Sequence, residues 1–274
     1  MDTLKELVKI VNRRRLSKID VFDKTFLNQH STNLYYQLYE GIESGKITDD
    51  SSAASYLYET EEKDARYRKL KSRFKSKILK SVLLFDVDEI FNNEVGKAYY
   101  ECVTYNKILE IIIQLSGTTK LVYELVKEDY SKALKYQFYD VLKNYSFYLI
   151  SYYSLKGDKK SLVLEERRYL SYLELAQKEQ FAKYLYMKIA VEFKRQIPIT
   201  DELLEDVKQN LDKLYVLKNE INKAKIDFYY FYLAFLFYEN SNQLQQILFV
   251  CNQAEELMKL NPNMITNTRR MVIL

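Results

Sequence analysis

Residues 224–260, AKIDFYYFYLAFLFYENSNQLQQILFVCNQAEELMKL, decide how the chain reads. They hold two runs of helix-forming, largely apolar residues separated by the polar break Glu239-Asn240-Ser241-Asn242. Moving towards the N-terminus, the next hard stops are Pro198, Gly157 and Gly117, with 41 residues from Gly157 to Pro198 and 40 from Gly117 to Gly157. Proline and glycine end helices because one lacks the N–H and clashes with the preceding turn, while the other relaxes the backbone. Helical text cut at such even intervals is the mark of stacked helical hairpins, each roughly 34 to 47 residues long, that bury their apolar faces only against neighbours. The spacing predicts paired helices at 119–129 and 131–156, 159–177 and 179–196, and 200–218 and 220–239, with a last helix over 242–260.

Composition agrees. Only 5 glycines and 2 prolines occur in 274 residues, too few punctuators for a turn-rich β-sandwich or barrel. Tyrosine (26) and phenylalanine (14) are abundant and tryptophan is absent; tyrosine joins a large apolar body to a hydroxyl, which suits both helical cores and groove walls. The second helix of each predicted pair combines a small residue with bulky ones: Ala133/Tyr136/Tyr139/Leu142, Ala182/Leu185/Ile189/Phe193 and Ala224/Phe228/Phe231/Phe235. Cys102 and Cys251 lie far apart among apolar helical residues, at neither metal nor redox spacing, and read as buried free thiols in a reducing compartment. The N-terminus is charged from its second residue, and the longest apolar run, Phe228 to Tyr238, falls short of the roughly 20 residues that span a bilayer. A cytoplasmic protein without a membrane segment is expected.

The N-terminal third, 1–86, reads as a separate helical module ahead of a repeat domain over 87–274. Leu4, Leu7, Val8 and Val11 share one face of a helix over 2–15 that ends in Arg13-Arg14-Arg15. Ser17 to Ser31 has no helical period, and Ile19, Val21 and Phe22 form a short strand or a packed loop. Helical spacing returns from Thr32 to Ser44, and Asp49-Asp50-Ser51 caps a short helix over Ser52 to Glu59. Tyr67, Leu70, Phe74, Ile78, Val82 and Phe85 then mark the apolar line of a strongly amphipathic helix. Residues 63–80 hold nine basic residues against one acid, Asp64, so this one helix carries the positive charge and the remaining 256 residues sum to −4. At about 100° per residue, Arg66, Lys69, Arg73, Lys77 and Lys80 fall on one flank and Arg68, Lys71 and Lys75 on the other shoulder. Residues 87–116 give one long helix or two, with Gly96 as a kink or close contact.

Tyr230, Leu233, Ala234 and Phe237, followed at one extra turn residue by Ile247, Cys251 and Ala254, resemble a tetratricopeptide repeat. That resemblance implies a non-enzymatic binding scaffold for a protein, a peptide or a small signalling ligand. The order of a helix, the Thr48-Asp49-Asp50 cap, a helix with Ala53-Ala54-Tyr56-Leu57 and a basic helix with Ser72-Arg73-Phe74 is similar to the helix-turn-helix part of bacterial winged-helix regulators. No glycine-rich hairpin follows Lys80 where their wing would stand.

Chemistry finds little purchase. His30 is the only histidine, so metal or nucleophilic catalysis would depend on it without a second His or Cys at ligand spacing. No glycine-rich phosphate loop is present, and Asp86, Asp88 and Glu89 read as the acidic start of a helix. The cationic flank (Arg66, Lys69, Arg73, Lys77, Lys80) is either a solvated face or a contact for backbone phosphate or an acidic partner, because close like charges repel until a partner relieves them. Tyr145, Tyr152, Tyr186 and Tyr229 are the candidate walls of a peptide groove. The expectation is an all-α, tetratricopeptide-like scaffold or regulatory adaptor, without catalytic residues, metal or cofactor, that binds a protein or peptide and is able to form a homo-oligomer. The alternative is a nucleic-acid-binding transcriptional regulator using 63–80.

Overall fold

The computed structural model describes residues 1–13, 33–81, 87, 91, 93–194, 200–221 and 223–260. Within them are eleven helices and no strand, so the chain is all-α there. It divides into two compact units, Met1–Asn92 and Asn93–Leu274. Arg14-Arg15, the segment 17–31 with His30, Val82, Phe85, the Asp86/Asp88/Glu89 acids, Pro198, Pro262 and Met271-Val272-Ile273-Leu274 lie outside the described residues.

In the first unit, α1 (Asp2–Arg13), α2 (Leu34–Glu43), α3 (Asp50–Tyr58) and α4 (Ala65–Ser81) pack around a small core. Leu4 and Val8 from α1, Leu38 from α2, Ala53 and Ala54 from α3, and Tyr67, Phe74 and Ile78 from α4 are buried in it. The cap before α3 is a full capping box: Asp49 accepts from the Ser52 N–H, and the Ser52 hydroxyl accepts from the Asp49 N–H. Asp50 ties the unit together, since its carboxylate accepts from the Tyr67 hydroxyl (2.5 Å), Lys71 Nζ (2.5 Å) and the Met1 ammonium (3.2 Å).

The second unit contains α5 (Glu94–Ser116), α6 (Lys120–Lys135), α7 (Tyr139–Lys156), α8 (Lys159–Lys194), α9 (Asp201–Ile221), α10 (Ala224–Asn240) and α11 (Leu244–Leu260). Each helix packs against the next, and α5 also meets α7, as α8 does α10. Gly117 and Gly157 end α5 and α7 with φ of 73° and 69°, a left-handed backbone that glycine adopts without strain. The α6–α7 turn uses Gln137 (φ 53°) instead. That turn lies beyond the boundary read at 129–131, because Val126, Asp129 and Ala133 are buried and carry the helix onward. Gly96 is no kink; its N–H donates to the Asn93 side chain in the first turn of α5 (2.6 Å).

The largest departure is α8. Hairpins with a turn near residue 178 were predicted, and the structure has one continuous helix of 36 residues, about 54 Å long at 1.5 Å per residue. Nothing between Gly157 and Pro198 can break it: Glu174 to Lys183 are strong helix formers apart from Phe181. Lys178, at the expected turn, instead bridges Glu174 one turn back (2.7 Å) and Glu220 on α9 (3.0 Å). A second link, Lys188 to Asp206 at 3.2 Å, fixes α9 antiparallel to the C-terminal half of α8. The other half of α8 packs against α7 through Tyr169 and Tyr172, so one helix serves α7 along one half and α9 and α10 along the other.

Cys102 is buried as expected, but Cys251 is exposed. Ile247, Val250, Ala254 and Leu257 form the inward stripe of α11, and Cys251 falls one position off it, on the side that carries exposed Leu244 and Leu248.

Candidate functional site

The four groove tyrosines do not form one wall. Tyr145 has no exposed surface. It stands inside the core of α5, α6 and α7, where its hydroxyl donates to Asp129 Oδ2 (2.8 Å) and contacts the Cys102 carbonyl (3.3 Å). It is a buried strut and is withdrawn as a groove residue, because a phenol on this face of α7 points at the neighbouring helices. Tyr152 is half-buried and stacked on Tyr123 with ring centroids 4.5 Å apart, alongside Tyr153. Tyr186 and Tyr229 belong together: α8 and α10 bring their rings to 4.4 Å in a stacked arrangement.

That last pair leads to a cluster the sequence reading missed. Tyr172, Ala176, Glu179 and Tyr186 recur at steps of four, three and seven along α8, so they share a face only because the helix is unbroken. Lys223, just before α10, places its Nζ 2.6 Å from Glu179 Oε2 and 4.5 Å from the Tyr139 ring centroid. Tyr139 in turn stacks on Tyr172 at 6.3 Å. From α5, the Tyr99 hydroxyl donates to Asp140 on α7 at 2.9 Å. Glu179 lies within electrostatic reach of three phenols. Burial, then Asp140, and then Glu179 push Tyr99 up to about 12; burial and then Glu179 also raise Tyr139 and Tyr229. The cluster thus gathers side chains from α5, α7, α8 and α10 around one ion pair, with the Lys223 side chain 13% and the Glu179 side chain 28% exposed. Tyr139 and Tyr229 are buried, and Tyr99 opens to solvent at 44%.

Phenol faces, two carboxylates and one ammonium can hold a charged or amphipathic group by cation–π and charge-assisted contacts. Among the described residues, no group of three or more His, Cys, Asp or Glu side chains is placed to hold a metal ion. The signal in the sequence was faint: Glu179 and Lys223 are 44 residues apart, about one repeat, but they fell in two different predicted helices, 179–196 and 220–239, with nothing to bring them together.

In the first unit, α4 contains no acidic residue. Its flank is not uniform. Arg66 is engaged by Asp64, through Nη2 to Oδ2 at 2.8 Å, and lies over the Tyr58 ring. Lys77 sits over the Tyr35 ring at 5.6 Å, and Lys71 belongs to Asp50. Lys69, Arg73 and Lys80 are exposed and form no ion pair among the described residues, as do Arg68 and Lys75 on the other shoulder. Between the two rails, Ala65, Ser72 and Ser76 occupy the outermost line of the helix and are also exposed.

Among the described residues no helix is long and apolar enough to cross a membrane. No protein-family model, curated protein or solved structure matches the chain.

Proposed function

We propose that the chain is a non-enzymatic helical-repeat scaffold or regulatory adaptor, tetratricopeptide-like in its second unit, whose α5, α7, α8 and α10 cluster binds a protein segment or peptide. The observation that carries this reading is the Glu179–Lys223 pair set against Tyr139, with the Tyr186–Tyr229 stack joining the same two helices and Tyr99 bonded to Asp140 next to Tyr139. Aromatic residues beside a few fixed charges are the composition of peptide-binding hot spots, with large contact area and little side-chain entropy to lose. Panning a random linear-peptide library on the folded chain tests it. Enriched peptides should slow amide exchange in α7, α8 and α10. Failure to enrich any peptide, or protection confined to other helices, would sink the reading.

A second reading is supported by α4. Its acid-free outer face has exposed Lys69, Arg73 and Lys80 on one side of Ser72 and Ser76 and exposed Arg68 and Lys75 on the other. A helix about 10–12 Å across fits a major groove about 12 Å wide, with small residues allowing close approach and the rails reaching phosphates. Lysine predominates and neither Asn nor Gln lies on the face, which favours backbone contact over base reading. Duplex DNA and duplex RNA titrated across a salt series should show affinity falling steeply with salt, and Lys69→Glu/Arg73→Glu should flatten that dependence. Absence of binding at low salt removes this reading.

A further inference from the structure

Resting on the peptide-binding reading, we propose that Glu179, paired with Lys223 beside the Tyr139 ring, is the receptor for the cationic side chain of a basic residue in the bound peptide, and that Lys223 fills this receptor as an internal competitor when no peptide is present.

Lys223 already displays the mode of binding. Its ammonium is 2.6 Å from the Glu179 carboxylate and 4.5 Å from the centre of the Tyr139 ring, the two contacts an incoming lysine or arginine would make. The charge balance favours a cation over an anion. Glu179 forms its ion pair with Lys223, and with that lysine displaced it is a carboxylate beside the electron-rich face of Tyr139. Burial strengthens the preference, because the Tyr139 ring beside the ammonium is less than a tenth exposed. The Glu179 side chain keeps 28% of its surface open to solvent, and this is the way in for a ligand cation. Lys223 precedes α10 rather than lying within it, and its neighbour Lys218 is occupied by Asp227 at 3.4 Å. Lys223 is therefore held in place by Glu179 and the ring of Tyr139, both of which a ligand cation would take over. A ligand competing with a tethered cation binds more weakly by the fraction of sites that cation fills.

N-acetyl-lysine methylamide, N-acetyl-arginine methylamide and the uncharged N-acetyl-norleucine methylamide serve as probes, titrated against the folded full chain while the tyrosine ring resonances are followed by NMR. The cationic probes should bind Lys223→Met at least about tenfold more tightly than the parent protein, and the norleucine probe at least about tenfold more weakly than the lysine probe. Glu179→Gln should abolish the difference between lysine and norleucine, and Lys223→Arg, which keeps the internal cation, should show no gain. Thermal melts confirm that each variant is folded. The proposal is overturned if norleucine binds as well as lysine, if Lys223→Met gains nothing, or if no probe binds that variant. Enriched peptides that ignore Glu179→Gln overturn it while leaving the peptide reading intact. A cationic probe that binds Lys223→Met when no peptide is enriched does the reverse.

Discussion

Tyr145 and Asp129 form a buried pair across α7 and α6: the phenol donates to Asp129 Oδ2 at 2.8 Å, and the two residues are 0% and 5% exposed. Lys132 reaches the other carboxylate oxygen at 3.3 Å. Removing only the hydroxyl leaves a carboxylate in the core short of a donor, so Tyr145→Phe should lower stability by about 1–3 kcal/mol. Urea denaturation measures it. Combining it with Asp129→Asn should cost less than the two changes added, because they remove the same bond.

Asp50 makes the first unit acid-sensitive. Burial alone would raise its pKa, but hydrogen bonds from Lys71, Tyr67 and the Met1 ammonium outweigh it and hold the carboxyl at about 2. A depressed carboxylate contributes stability above its unfolded pKa of about 4, lost as pH falls towards about 2. With a side chain 29% exposed, the contribution is about 1 kcal/mol after allowance for screening. Asp50→Asn should therefore weaken amide protection in α3 and α4 near neutral pH and differ little from the parent protein at about pH 2.

The continuity of α8 is open to a direct test. Lys178→Pro should destabilise the second unit by about 3 kcal/mol or more, since it removes a mid-helix N–H and drives a ring into the preceding turn. A hairpin turn at that position would accept proline. Thermal unfolding separates the two outcomes, and continuous slow exchange of amides from Tyr172 to Tyr186 would support the single helix independently.

Gly41 is a packing glycine. A Cβ built on it would lie 2.5 Å from Ile47 Cδ1 and 2.8 Å from Cγ1, and Ile47 is 1% exposed. Gly41→Ala should destabilise α2 by about 1 kcal/mol despite alanine's better helix propensity, because overpacking outweighs the gain. Gly41→Ala combined with Ile47→Val should recover part of that loss in a thermal melt.

The two thiols should separate by reactivity. Cys251 is exposed, whereas burial and then Asp129 raise the pKa of the buried Cys102 thiol well above its ordinary value. One equivalent of a disulfide-exchange reagent should react with the native protein and the second only in denaturant. Two fast equivalents would contradict the packing of α5.

The sequence by itself determined the helical class, the stops at Gly117 and Gly157, the cap at Asp49 and the inward face of α4. These are local properties: glycine's freedom at positive φ, a side-chain oxygen near free N–H groups, and apolar spacing at 3.6 residues per turn. It was silent on which tyrosines are struts and which are surface, because a period places residues on one face without saying what that face meets. Tyr145 and Tyr186 look alike in sequence, yet one is bonded to Asp129 and the other stacks on Tyr229. Only the tertiary structure decided that α8 runs unbroken through Lys178, held by Glu220 of α9. With that helix continuous, Glu179 meets a lysine 44 residues away that also lies over the Tyr139 ring of α7. Such a meeting depends on how helices pack, and packing sums many weak contacts between distant residues that no local pattern records.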